Sequence, residues 1–287
     1  SGGDKPEMDL HPSVYLASQP AASYGEDTSK GRDMSSDGTF LPADLALEVI
    51  DSIVPEAGWP AYDLNNDGTV DRFLLLHTAR GQEADGSKPN LIWSHFTRLM
   101  EPPSHDGVEI GHYTMATLRG GTDVTGTIVH EMLHQLGAVD LYPVHDPSWA
   151  GSWHGPGDWD VMASGNWNGQ GSWPALPTAA TSMRMGLQEP VWLDLDFPVQ
   201  RDGPCLGPEV SFNTSARPNY AVALTEDQSL HIEWVGGNVY DDHLPGQGVL
   251  VTVLDAALDD ERSNEVNVDP GRPYLYVVEA DDDRGLR

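Results

Sequence analysis

The chain has 287 residues, 39% of them hydrophobic, enough to bury a core as one large domain or two smaller ones. Its 45 Asp and Glu against 15 Lys and Arg give a net charge of -30, which excludes the basic surface that nucleic acids or anionic membranes require. No apolar run is long enough to cross a bilayer, so membrane insertion is not expected, and the single Cys205 excludes an internal disulfide and any zinc site built from two cysteines. Any metal site must therefore rest on His and carboxylates, and Cys205 reads as a small buried apolar residue. No signal peptide is visible. The chain starts with Ser and ends on an acidic, strand-like stretch, so a processed or partial chain is expected.

In chain order, residues 1–40 are polar, with one short strand expected near Ser13–Leu16. From Pro42 to Val54 apolar residues recur at helical spacing behind a proline, which predicts a helix. Phe73–His77 and Leu91–Trp93 read as short strands, and Thr125–Leu136 as a helix. Residues 137–174 are dense in Gly, Pro and Trp and read as loop, with the tryptophans serving packing ahead of a cleft wall. A short helix is expected over Thr178–Leu187 with Thr178 as its N-cap. From about residue 190 short β-like runs take over: Val210–Phe212, Tyr220–Leu224, Leu230–Val235, Val249–Leu254 and Tyr274–Val278. The expected organisation is an α/β (α+β) domain over 1–189, with a twisted mixed sheet, and a β-rich segment over 190–287.

The segment Thr-Ile-Val-His-Glu-Met-Leu-His-Gln-Leu-Gly-Ala-Val-Asp at 127–140 carries the chemistry. His130 and His134 are one helical turn apart on one face, where both imidazoles can reach one ion. Glu131 sits beside the first His, placed to work on a water as general base instead of binding the metal. On a continued helix Asp140 would lie roughly 9 Å along the axis from His134, too far to share a metal. Gly137 allows the chain to turn and return Asp140 as third zinc ligand. His145, Asp146 and His154 in the following loop are the competitors for that place. A second motif, Asp63, Asn65, Asp67, Gly68, Thr69 and Asp71, has the alternating oxygens of an EF-hand loop. Its twelfth position is Leu74 and a strand should follow. It therefore reads as a structural calcium loop completed from elsewhere, with Glu83 a candidate. The acidic runs Asp259–Glu261 and Asp281–Asp283 read as solvated surface ahead of a second calcium site.

Farther on, "DWDVMASGNWNG" follows "HEMLHQLGAVDLY". Together these resemble the metzincin peptidases, which carry HExxHxxGxx(H/D) and then a turn with a methionine beneath the zinc. With "YDLNNDGTVDRFLLLHTARGQE", "IWSH", "LPGQGVLVTVLD" and "VVEADDD" in order, the chain looks like the immune inhibitor A-like family of secreted metzincin zinc metallopeptidases. The resemblance implies a metzincin-like catalytic domain, Zn2+ and Ca2+ as cofactors, protein or peptide substrates and an extracellular location. It implies Met162 as the Met-turn residue. A likeness to the snapalysin-like peptidases implies Tyr142 as a donor to the oxyanion. The family often has GLPD where this chain has GAVD. A monomer is expected. Two other classes fit the residues: a calcium-stabilised binding or adhesion module with a silent site, and a zinc hydrolase of non-protein substrates.

Overall fold

The computed structural model describes residues 8–119, 123–144, 154–194, 210–212, 217–258 and 266–280. They form a mixed α/β structure in two compact units, Ser1–Gln135 and Leu136–Arg287. Residue 190 falls inside the second. No helix among the described residues is long and apolar enough to cross a membrane.

In the first unit, α1 (Leu41–Ser52) starts with Pro42 in its first turn and buries Leu45, Ala46 and Ile50, as its spacing requires. A three-stranded sheet has the order β1-β5-β2. Here β1 is Leu74–Arg80 and β2 is His95–Arg98. Between β2 and β5 a small hairpin pairs β3 (Ser104–His105) with β4 (Val108–Glu109). Its turn uses Asp106 and Gly107 at φ 53° and 90°, where both central residues need the left-handed region. The central strand β5 (His112–Arg119) pairs parallel with β1 and antiparallel with β2, so the sheet is mixed. Tyr113 to Thr117 are all buried, the mark of a strand covered on both faces. Leu45, Ile50, Trp59, Leu75, Ile110 and Met115 belong to one core cluster. At the C-terminal end of the unit lies α2 (Thr125–His134).

Two expected strands are absent here. Ser13–Leu16 is unpaired coil, with Val14 95% and Leu16 90% exposed. Leu91–Trp93 is also irregular, although Ile92 is buried. Its main-chain groups are taken elsewhere: Ile92 O accepts from Gln82 N–H, and Trp93 N–H donates to the Asp33 carboxylate. A side chain and a turn have replaced the ladder, and the strand begins only at His95.

In the second unit, residues 154–174 are loop and 3-10 turns, as their composition predicts. The helix α3 (Ala179–Arg184) follows, and the Thr178 side chain accepts from Thr181 N–H as its N-cap. A five-stranded sheet has the order β10-β9-β8-β7-β6. Its strands are β6 (Val191–Trp192), β7 (Tyr220–Ala223), β8 (Gln228–Val235), β9 (Gly248–Asp255) and β10 (Leu275–Val277). All neighbours pair antiparallel except β6 with β7. All five strands of this sheet lie after residue 190. Val210–Phe212 is coil, held by the Tyr220 hydroxyl on the Ser211 carbonyl.

Candidate metal centre

The helix α2 is started by a side chain. Asp123 Oδ1 accepts from the Thr125 N–H at 2.8 Å and from the Thr125 hydroxyl at 2.5 Å, supplying an acceptor where the first turn has unpaired donors. Its far end is tied to the sheet: Gln135 Nε2 donates to the Phe73 carbonyl and to Thr114 Oγ1, and Thr114 Oγ1 donates to the Glu131 carbonyl. That carbonyl belongs to the turn carrying both histidines. The i,i+4 spacing does what helix geometry predicts, with the His130 and His134 rings at 4.9 Å between centroids and nearly perpendicular. Phe96 of β2 stacks on His134. His130 and Glu131 are buried, and His134 is half-buried.

Gly137 stands at φ +90°, the conformation that ends a helix and that a Cβ would oppose. The chain turns there and Asp140 comes back. One donor atom from each of His130, His134 and Asp140 lies within 4.8 Å of the other two. Among the described residues this is the group of three or more His, Cys, Asp and Glu side chains gathered so closely. Two imidazoles and a carboxylate are a donor set that suits zinc. Asp140 is 6% exposed, so its charge is withdrawn from water, which favours a partner cation. Of the competitors for third ligand, His154 is exposed and not in the group, while His145 and Asp146 lie outside the described residues.

Tyr142 is half-buried two residues past Asp140. Met162 is fully buried, and its carbonyl accepts from the Leu141 N–H at 2.8 Å, joining the turn at 160–163 to the strand of chain that presents Asp140. The turn itself depends on Asp160, which sequence reasoning did not single out. Asp160 Oδ1 accepts from the Met162 N–H, while Oδ2 accepts from the Thr178 N–H and the Thr181 hydroxyl at the start of α3. The Asp-x-Met spacing of a side-chain-capped turn was the available signal.

The second expected metal loop has a different arrangement. Asp63 accepts from the Asp67 and Gly68 N–H groups, Asn65 from Asp67 N–H, Asp67 from Thr69 N–H and Asp71 from Leu64 N–H. Gly68 is at φ +89° and the loop leads into β1, as its pattern predicts. Asp63, Asp67 and Asp71 are not gathered into a group like that at Asp140. Glu83 is engaged by the Ser94 N–H and hydroxyl. Cys205, Trp149, Trp153, Asp259–Glu261 and Asp281–Asp283 lie outside the described residues. Trp167 and Trp173 are 42% and 39% exposed, and Trp173 stacks on His243.

The description "Immune inhibitor A peptidase M6, catalytic domain" matches residues 12–186. The chain belongs to this family. Among relatives, it is 29% identical over 168 residues to immune inhibitor A of Bacillus thuringiensis subsp. alesti, covering 50% of this chain and 24% of that protein. It is 25% identical over 176 residues to the pre-pro-metalloprotease PrtV of Vibrio cholerae serotype O1 strain M66-2, covering 52% of this chain and 18% of that one. The chain thus matches under a quarter of the length of each of those two relatives. No solved structure matches the chain. The matched stretch contains the His130–His134–Asp140 group, the Met162 turn and α3.

Proposed function

We propose that the protein is a secreted zinc-dependent endopeptidase with a metzincin-like catalytic domain. The observation that carries this reading is the convergence of His130, His134 and Asp140, with Glu131 on the same helix as both histidines, in a chain of the M6 peptidase family. His130, His134 and Asp140 would hold the metal. When bound, zinc supplies Lewis-acid polarisation of a scissile carbonyl and lowers the pKa of water. Glu131, next to His130 on the same helix, accepts a proton from the attacking water at a carboxylate oxygen and later passes it to the leaving amine. The Tyr142 hydroxyl donates to the oxyanion. Met162, buried and joined through its carbonyl to the Leu141 N–H, would serve as the Met-turn residue. The name pre-pro-metalloprotease borne by one relative supports export of this chain too.

The test compares casein cleavage by the protein and by Glu131→Ala, both loaded with zinc. A loss of at least about a hundredfold in the variant, with zinc still bound, is expected for a general base. Zinc binding without cleavage by either protein would sink the reading.

Calcium held by Asp63, Asn65, Asp67, Thr69 and Asp71 is the second part of the proposal, supported by their alternation around Gly68. Calcium should raise the melting temperature, and Asp67→Ala should abolish that rise. An equal rise in both proteins would remove the loop from the reading.

A further inference from the structure

Leu141, which follows Asp140, has both of its main-chain polar groups occupied. Its N–H donates to the Met162 carbonyl at 2.8 Å, and its carbonyl accepts from Asn267 Nδ2 at 2.8 Å. The asparagine is itself fixed. Nδ2 also donates to the Leu275 carbonyl, and Oδ1 accepts from the Leu275 N–H, both at 3.0 Å. The side-chain amide thus stands against the first residue of β10 as a neighbouring strand's peptide would. Asn267 is 3% exposed and holds φ 52°, a left-handed backbone that asparagine tolerates better than most residues. Gly155 approaches the same point: a Cβ there would lie 1.8 Å from Leu141 O and 2.7 Å from Asn267 Nδ2.

We infer that Asn267 is a positioning residue for the third metal ligand, holding the Leu141 peptide and through it the Asp140 carboxylate. The inference rests on the zinc reading above. It also extends that reading, because Asn267 lies beyond the stretch 12–186 matched by the family description. An amide that sets the third ligand comes from the β-rich part of the chain. Without the Nδ2 donor, Leu141 O is left a buried acceptor with no donor from residue 267, and the residue next to Asp140 loses one of its two main-chain anchors.

The experiment measures zinc affinity by chelator competition, and the ligand-field spectrum of the cobalt-loaded protein, for wild type, Asn267→Gly, Asn267→Asp and His130→Ala. Glycine keeps the left-handed backbone and removes the amide. Aspartate keeps the shape but turns an acceptor toward two carbonyl oxygens. Circular dichroism identifies the folded variants, and Asn267→Ser replaces any that does not fold. The expected result is zinc bound about ten- to a hundredfold more weakly by the Asn267 variants, with a displaced cobalt spectrum. A residue that merely braces the fold would lower the melting temperature of the zinc-free protein and leave affinity and spectrum unchanged. That outcome overturns the inference and leaves the zinc reading standing, provided His130→Ala loses zinc. If wild type binds zinc no better than His130→Ala, both fall together.

Discussion

Asp33 is 1% exposed, yet only one of its carboxylate oxygens has a partner, the Trp93 N–H at 3.1 Å. Burial raises its pKa to about 7. The Trp93 bond opposes the shift, Asp27 and Glu83 add to it, and Arg32 works against it. The folded chain thus keeps a proton on Asp33 that the unfolded chain has released. Stability from this group is full below the unfolded value of about 4 and is lost as pH rises through about 7. Asp33→Asn keeps an acceptor for Trp93 and cannot ionise. It should match wild type near pH 4 and exceed it near pH 8 by on the order of 1–3 kcal/mol. Urea denaturation at both pH values checks this, and an equal gap at both would count against it. No sequence pattern marked Asp33, because its environment comes from residues far along the chain. His130, Glu131 and His134 were legible because helical spacing alone places them. Asp140 needed only Gly137, a single turn away.

Strand β8 alternates cleanly, but its buried side is Ser229, His231, Glu233 and Val235, with Leu230, Ile232 and Trp234 on the other face. Period-two alternation made the strand readable. It did not reveal that a mostly polar face is the one turned inward. The reason is long-range pairing. Glu233 accepts from Arg217 at 2.8 Å and from the Ala179 N–H at 2.6 Å, and Arg217 also reaches Asp241 at 3.3 Å. His231 bonds Asn219 and Ser229. Burial raises the Glu233 pKa while Arg217 pulls it down. One guanidinium therefore serves two buried carboxylates, and through Glu233 it also supports the start of α3. Arg217→Met should cost about 3–5 kcal/mol near pH 7, because two buried charges lose their cation. The cost should shrink as pH falls and Glu233 takes up a proton. Adding Glu233→Gln should recover part of it. Guanidinium melts of the single and double variants give the comparison, and additive losses would refute the shared-cation account.

For the molecule as a whole, a net charge of -30 gives self-repulsion that acid relieves, so mild acid would be expected to stabilise it. The buried histidines act the other way. Burial lowers the pKa of His77, His95 and His231 to about 4. His95 holds Nδ1 toward the Trp93 carbonyl and Nε2 toward the Tyr113 hydroxyl, the pattern of a neutral ring donating at one end and accepting at the other. Neither ring nitrogen of His77 has a well-formed hydrogen bond, and the Ala79 backbone opposes its shift only in part. Each depressed histidine contributes stability that is present above about pH 6.5 and lost as pH falls toward about 4. The slope is about 1.4 kcal/mol per pH unit for each fully linked group, discounted for His77 and His95, which are only half-buried. Asp33, with its pKa raised to about 7, offsets part of this, but three histidines outweigh it, and burial lowers the His112 pKa in the same direction. Stability should therefore fall by a few kcal/mol between about pH 7 and pH 5, against the direction that net charge alone dictates. His77→Phe isolates one contribution, since it removes a titrating ring without a well-formed hydrogen bond and replaces it with one of similar size. That variant should equal or exceed wild type near pH 7 and lose less stability on acidification, read from urea midpoints at three pH values. If its pH slope equals that of wild type, His77 is not one of the groups that set the acid limit, and the loss belongs to the other depressed histidines, His95, His112 and His231.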